Sequence, residues 1–178
     1  DSGKIGKMKI IAITTPKVTS DDLPIIRVLI GKGIDVIHLR KPDSCIDECR
    51  DLLLRLTEKE RGRIVIHDYP ELYEEFQLLG IHINKNVTSF PSGYSGLRTR
   101  SCHSFEEVMM YKGNYDYLFL SPIFDSISKQ GYLSGFTHDE LVRASEEGII
   151  DRKVVALGGV TFDKIEYLKG LGFGGAAM

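Results

Sequence analysis

The sequence predicts an α/β fold, a (β/α)8 barrel of the TIM type, with the last helix missing from the chain. Three observations predict it. Eight short β-branched runs alternate with amphipathic helical stretches. Strand–helix units repeated in this way call for a parallel sheet with right-handed crossovers. Polar residues and glycines gather just past the carboxyl ends of the runs, where barrels carry their chemistry. An open doubly wound sheet is the alternative, and it usually has fewer strands.

Each element has a local reason. Lys9 to Thr14 reads as the first strand. Ser20, Asp21 and Asp22 cap a helix that ends near Gly31 and Gly33. Ile34 to Arg40 is the second strand, followed by a helix over Ile46 to Arg61 with Leu52, Leu53 and Leu56 on its apolar stripe. Ile64 to Asp68 is the third strand, Glu71 to Leu79 a helix, and Ile81 to Asn84 the fourth strand. Pro91, Gly93 and Gly96 make Lys85 to Gly96 a loop. Leu97 to Cys102 is the fifth strand, with a helix over Ser104 to Tyr111. Tyr115 to Ser121 is the sixth, followed by a long loop from Pro122 to Phe136 and a helix over His138 to Glu147. Lys153 to Leu157 is the seventh, ended by Gly158-Gly159 and followed by a helix over Phe162 to Lys169. Phe173 to Met178 begins the eighth strand.

Residues 8–178 are thus expected to form one barrel domain, and the polar residues 1–7 a flexible lead-in. Barrels of this kind run to about 200 residues or more. A chain of 178 residues that stops inside strand eight is expected to lack the closing helix and the phosphate-binding loop before it.

Composition narrows the function. Lys and Arg total 23 and Asp and Glu 25, for a net charge of −2, which gives no overall field for nucleic acid or anionic lipid. The 42% apolar and 27% charged content is that of a globular protein. No apolar run is long enough to span a membrane, and the N-terminus has no signal-peptide pattern, so a cytoplasmic protein is expected. Cys45, Cys49 and Cys102 are too few for a disulfide framework. Cys45 and Cys49 lie four apart in a helical reading and are expected to pack.

The strand ends carry the candidate chemistry. They include His38, Arg40 and Lys41 after strand two, His67 and Asp68 after strand three, and His82 and Asn84 on strand four. Ser101, Cys102 and His103 end strand five, and Ser126, Ser128 and Lys129 lie in the loop after strand six. For any one histidine, a hydrogen-bonded structural role is the plain alternative. No histidine pair has tight metal-ligand spacing, so a metal–histidine site is not expected. His38 and Arg40 share a parity that turns both toward the barrel mouth, where an arginine calls for an anion. Gly158-Gly159 lets a phosphate approach backbone N–H groups, and a plain turn is the alternative. Gly170, Gly172 and Gly175 spell a dinucleotide fingerprint but follow a helix and precede a strand, the reverse of the required context. Cys102 and His103 are adjacent on a strand and point apart, so they do not form a nucleophile–base pair.

From about Lys9 to Met178 the chain resembles the thiamine phosphate synthases and the TenI-type thiazole tautomerases. The pieces that carry the resemblance include Ile37-His38-Leu39-Arg40, Gly80-Ile81-His82, Ser101-Cys102-His103-Ser104, Asp116-Tyr117-Leu118 through Pro122-Ile123-Phe124, Ser126-Ile127-Ser128-Lys129 and Val155-Ala156-Leu157-Gly158-Gly159-Val160. The resemblance implies a (β/α)8 barrel that couples hydroxymethylpyrimidine diphosphate to thiazole phosphate and releases pyrophosphate. It implies a dissociative reaction assisted by Mg²⁺ at Asp68, with Arg40 and Lys41 on the diphosphate. Ser126, Ser128, Lys129, Gly158 and Gly159 would hold the thiazole phosphate, and Ser101 matches the family's serine. His38 stands where the synthases usually have Gln, and His67 where they have Asn. Lys41 stands one place early for the diphosphate lysine, and no acid stands near Asn86 or Val87 for the second metal ligand. His38 resembles the tautomerase pattern, whereas Pro122 resembles the synthase pattern.

The resemblance therefore implies a synthase first. The second reading is a tautomerase with His38, His67 or His103 as proton carrier. The third is a non-catalytic thiazole-phosphate binder that lost its metal site. Another phosphate-binding barrel, such as a sugar-phosphate isomerase, lacks a recognisable acid/base pair here. The expected partners are small phosphorylated substrates, with no nucleic acid and no membrane. Association into a homo-oligomer is left open.

Overall fold

The computed structural model describes residues 7–124 and 135–178. Its eight strands follow one another in sequence order and close into a barrel. The pairs β1–β2, β2–β3, β3–β4, β6–β7 and β7–β8 are parallel. The strands are β1 (Lys9–Ile13), β2 (Val36–Leu39), β3 (Ile64–Ile66), β4 (Gly80–Ile83), β5 (Leu97–Cys102), β6 (Tyr117–Leu120), β7 (Val154–Ala156) and β8 (Gly175–Ala177). The helices are α1 (Asp22–Gly31), α2 (Ile46–Arg55), α3 (Glu58–Arg61), α4 (Leu72–Phe76), α5 (Phe105–Tyr111), α6 (His138–Glu146) and α7 (Ile165–Gly170). The alternation expected from the sequence is the alternation observed.

Three boundaries differ, each for a local reason. The helix expected over Ile46 to Arg61 breaks at Leu56, which is extended at φ −84° and ψ 150°. Thr57 restarts it: its Oγ1 accepts the Glu60 N–H at 3.2 Å, and its own N–H reaches Glu60 Oε1 at 2.8 Å. That reciprocal cap fits a new helix start better than a helix interior. The helix expected over Glu71 to Leu79 is only α4, because Gln77 turns left-handed at φ 52°. The helix expected from Phe162 begins as a 3-10 turn over Phe162–Lys164, and α7 starts at Ile165.

The chain divides into two compact units, residues 11–99 and residues 1–10 with 100–178. In the first, Ile37, Leu39, Ile64 and Ile66 are buried in the strands. Leu52, Leu53 and Leu56 of the predicted stripe are buried too. Each such side chain contributes about 1.5–3 kcal/mol on removal from water. In the second unit one apolar cluster joins Leu118, Leu120 and Val154 to Val108, Leu141 and Leu168 of α5, α6 and α7. Ser104 and Thr137 cap α5 and α6 by accepting the N–H of Glu107 and Glu140.

Among the described residues no helix is long and apolar enough to cross a membrane. Cys49 and Cys102 are buried, and burial pushes their thiols up to about 11 and about 12, which keeps them protonated and inert. Cys45 is exposed and caps α2 instead of lying within it, so it does not pack beside Cys49 on a helix face.

Candidate active site

Two residues past the ends of β2 and β3 form a fixed, charged pair of positions in the 11–99 unit. Arg40 is exposed. Its backbone is held from both sides: its N–H donates to Thr14 Oγ1 at 3.0 Å, and the same hydroxyl donates to its carbonyl at 3.1 Å. Asp68 is half-buried, and its Oδ2 accepts the Lys41 N–H at 2.7 Å. The strand ends are joined further by the His67 N–H, which donates to the Leu39 carbonyl at 3.0 Å. A guanidinium and a carboxylate are thus presented on anchored backbone, an arrangement suited to a phosphate with a divalent ion.

Lys41 does not extend this pair. Its side chain is fully buried, and Nζ lies 2.6 Å from Asp22 Oδ1 and 3.1 Å from the Lys17 carbonyl. An ammonium out of water needs such partners, so the cation expected on the diphosphate is committed to the inside of the unit. Asp22, expected to help cap the helix, is instead its first residue; Asp21 stands at the cap position with no side-chain cap bond, and Asp22 Oδ2 accepts the Thr19 N–H ahead of the helix at 2.7 Å. Nothing in the local sequence gave its second task.

His38 departs from the expected mouth position for a related reason. It is wholly buried, as is His82, and His67 is only 4% exposed. His38 Nδ1 and His67 Nε2 are 2.7 Å apart, and one N–H bridges them. The His67 and His82 rings stack at 4.1 Å with 8° between their planes, and His38 meets both edge-on. His82 Nδ1 lies 2.7 Å from Thr99 Oγ1. Burial favours the neutral form of His38 and His67. It pushes His38 well below the usual histidine range, with help from His67, and it pushes His67 down to about 3, with help from the Arg40 charge.

Register explains the meeting. His38 pairs with Val65 and Val65 with Gly80, so these three face one way. His67 and His82 lie two residues further along and return to that face. Gly80 is required there, because a Cβ would fall 2.4 Å from the Leu97 carbonyl oxygen. The cluster escaped a reading based on ligand spacing because its members lie far apart in sequence, His38 and His67 by 29 residues.

The position near Asn86 and Val87 holds no acid. Asn84 Oδ1 accepts the N–H groups of both residues, at 2.8 and 3.0 Å, and closes a turn.

In the other unit, Gly158 and Gly159 have φ values of +101° and +62°. A Cβ on Gly158 would lie 2.8 Å from Pro122 Cα, and one on Gly159 would lie 2.9 Å from the Phe124 carbonyl oxygen. The Phe124 N–H donates to the Gly158 carbonyl at 3.0 Å. The glycine pair is therefore a tightly packed strand end whose close contacts exclude a side chain. The Ser121–Pro122 peptide bond is cis. His103 is exposed, with Nδ1 3.2 Å from both the carbonyl and Oγ of Ser121. It is the exposed member of the three histidines offered as proton carriers. Ser101 is the penultimate residue of β5, half-buried. Ser126, Ser128 and Lys129 lie outside the described residues.

Comparison with known proteins bears on this arrangement. Residues 10–178 match the family described as thiamine monophosphate synthase. The thiamine-phosphate synthase of Phocaeicola vulgatus is 26% identical over 166 residues, which cover 85% of this chain and 79% of that protein. A solved structure of thiamine phosphate pyrophosphorylase from Bacteroides thetaiotaomicron is 43% identical with a TM-score of 0.86, and the match covers 96% of this chain and 82% of that one. A thiamine phosphate pyrophosphorylase from Pyrococcus furiosus, 18% identical with a TM-score of 0.73, shares the fold over 96% of this chain and 85% of its own.

Proposed function

We propose a reaction for this chain on the premise that it belongs to the thiamine monophosphate synthase family: it joins hydroxymethylpyrimidine diphosphate to thiazole phosphate, giving thiamine phosphate and pyrophosphate. The bond between the pyrimidine methylene carbon and the diphosphate oxygen breaks, and its electrons leave with pyrophosphate. The thiazole nitrogen then donates its lone pair to the carbon.

One observation carries the reading: the anchored pair of Arg40 and Asp68 past β2 and β3, tied through the Lys41 N–H. Negative charge grows on the departing pyrophosphate, and a guanidinium carried on anchored backbone is suited to bind phosphate oxygens. Asp68 fits Mg²⁺, which is often held by one or two carboxylates with substrate phosphates and water completing the shell. When bound, the ion supplies positive charge to the leaving group. Lys41 serves this site through its backbone N–H, which orients Asp68. In the other unit, Gly158 and Gly159 would meet the thiazole phosphate, with Ser101, His103, Ser126, Ser128 and Lys129 as further contacts.

The test is a mixture of the purified full chain, both substrates and Mg²⁺, assayed for thiamine phosphate. Product is expected, with Arg40→Ala lowering kcat/KM about 10²- to 10³-fold, as for loss of one charge-stabilising donor. Retained thiazole-phosphate binding without product would replace the synthase reading with that of a binder. Tautomer conversion without Mg²⁺ would replace it with the tautomerase.

A further inference from the structure

We propose that Lys164 is a positioning residue for the thiazole phosphate, acting through the Gly158-Gly159 turn without itself touching the substrate. The inference rests on the reading that this turn meets that phosphate. All the residues involved belong to the unit that contains 100–178. The Ile123 N–H donates to the Leu157 carbonyl at 2.9 Å, and the Phe124 N–H to the Gly158 carbonyl at 3.0 Å. The next carbonyl, that of Gly159, leaves this run of backbone bonds, and Lys164 Nζ donates to it at 2.8 Å. The same ammonium lies 4.3 Å from the centre of the Phe124 ring. Lys164 is half-buried, and its own N–H closes a 3-10 turn onto the Thr161 carbonyl at 3.0 Å. The side chain is thus held at its base by the turn and at its tip by the carbonyl and the ring.

A trans peptide points its N–H opposite to its carbonyl. Tying the Gly158 carbonyl therefore sets the direction of the Gly159 N–H. Tying the Gly159 carbonyl sets that of the Val160 N–H. Neither N–H has an acceptor among the described residues. Backbone donors left in this way call for a partner from outside the backbone, and successive N–H groups suit an anion. Gly159 stands at φ +62°, where glycine is permissive and the peptide after it is free to rotate. Without a tether, the Gly159–Val160 peptide would have to be ordered as the phosphate arrives. The Lys164 bond supplies that order beforehand. The Phe124 ring face keeps the ammonium in place over the carbonyl. Because Lys164 takes the carbonyl edge of the peptide, it acts through the turn and is not a phosphate ligand.

The experiment is calorimetric titration of the full chain with thiazole phosphate, with hydroxymethylpyrimidine diphosphate and Mg²⁺ as the control ligand. Lys164→Met should weaken thiazole-phosphate binding about 3- to 10-fold, as for loss of one hydrogen bond, and leave the control ligand unchanged. Phe124→Leu keeps the backbone bond to Gly158 and loses the ring, and should weaken it about 2- to 5-fold. The double variant should lose no more than Lys164→Met, because both side chains act through one clamp. The loss should persist from about 0.05 M to about 0.5 M salt, because a contact bond is not screened as a distant charge is. Unchanged affinity in Lys164→Met would overturn the inference alone. So would equal loss for both ligands, the mark of a general structural role, or a loss that vanishes in high salt, the mark of charge acting at a distance. Additive losses in the double variant would overturn it too. No thiazole-phosphate binding by the unsubstituted chain would overturn the reading of the turn itself, and the inference with it. Circular dichroism checks each fold, and if Lys164→Met does not fold, Phe124→Leu is judged by the same two-ligand and salt criteria.

Discussion

The two units solve the strand-end problem differently. Residues 11–99 bury polar groups and pair them: Lys41 with Asp22, His38 with His67, His82 with Thr99. The other unit surrounds its strands with an apolar cluster and shapes its functional end by steric exclusion, with Gly158 against Pro122 and Gly159 against Phe124. Paired polar groups make a unit sensitive to the loss of one partner. A glycine end makes it sensitive to the gain of one carbon.

The sharpest way to break this contrast is Lys41→Met, which leaves Asp22 buried without its cation and should cost about 3–5 kcal/mol of stability. Urea unfolding measures it, and the double variant Lys41→Met with Asp22→Asn should recover much of the loss. An unchanged urea midpoint for Lys41→Met would mean that the pair is not what holds α1 to β2.

Gly158→Val is the matching test on the other unit. It places a Cβ 2.8 Å from Pro122 Cα at φ +101°. The combined strain should cost about 2–4 kcal/mol, and thiazole-phosphate binding should weaken with it. Wild-type affinity in this variant would remove the glycine pair from the site.

The next effect is one of pH, on the metal-free chain. His67 is pushed down to about 3, below its unfolded value of about 6.5, so the folded state binds fewer protons. Its contribution is complete above pH 6.5 and is lost as pH falls toward 3. Between pH 6.5 and 5 this amounts to about 2 kcal/mol, at 1.36 kcal/mol per unit. His67→Gln should flatten the slope, and an equal slope in both proteins would place the titration elsewhere.

The smallest effects come from the caps. Thr57→Ala in one unit and Ser104→Ala in the other should each cost about 1 kcal/mol by urea unfolding. Equal losses would show that the units differ in their strand ends and not in their helix starts.

Much of the fold was legible because periodicity is a local property. The β-branched runs and the Leu52, Leu53, Leu56 stripe place strands and helices without reference to anything distant. The break at Leu56 and the restart at Thr57 were not read, because the apolar stripe runs on through Leu56. Arg40, Asp68 and Gly158-Gly159 stood out because charges and paired glycines at strand ends have few other uses. The site was read less well inside the strands. A buried histidine or lysine looks in sequence like an exposed one, and its partner lies beyond the reach of spacing.

By itself, then, the sequence determined the eight-strand alternation and the charged and glycine-marked strand ends. Tertiary structure alone decided that Lys41 turns inward to Asp22, and that His38, His67 and His82 meet. The reason is register. Which residues of parallel neighbours face one another is fixed only when the strands pair, and that pairing decides which polar groups lose water together.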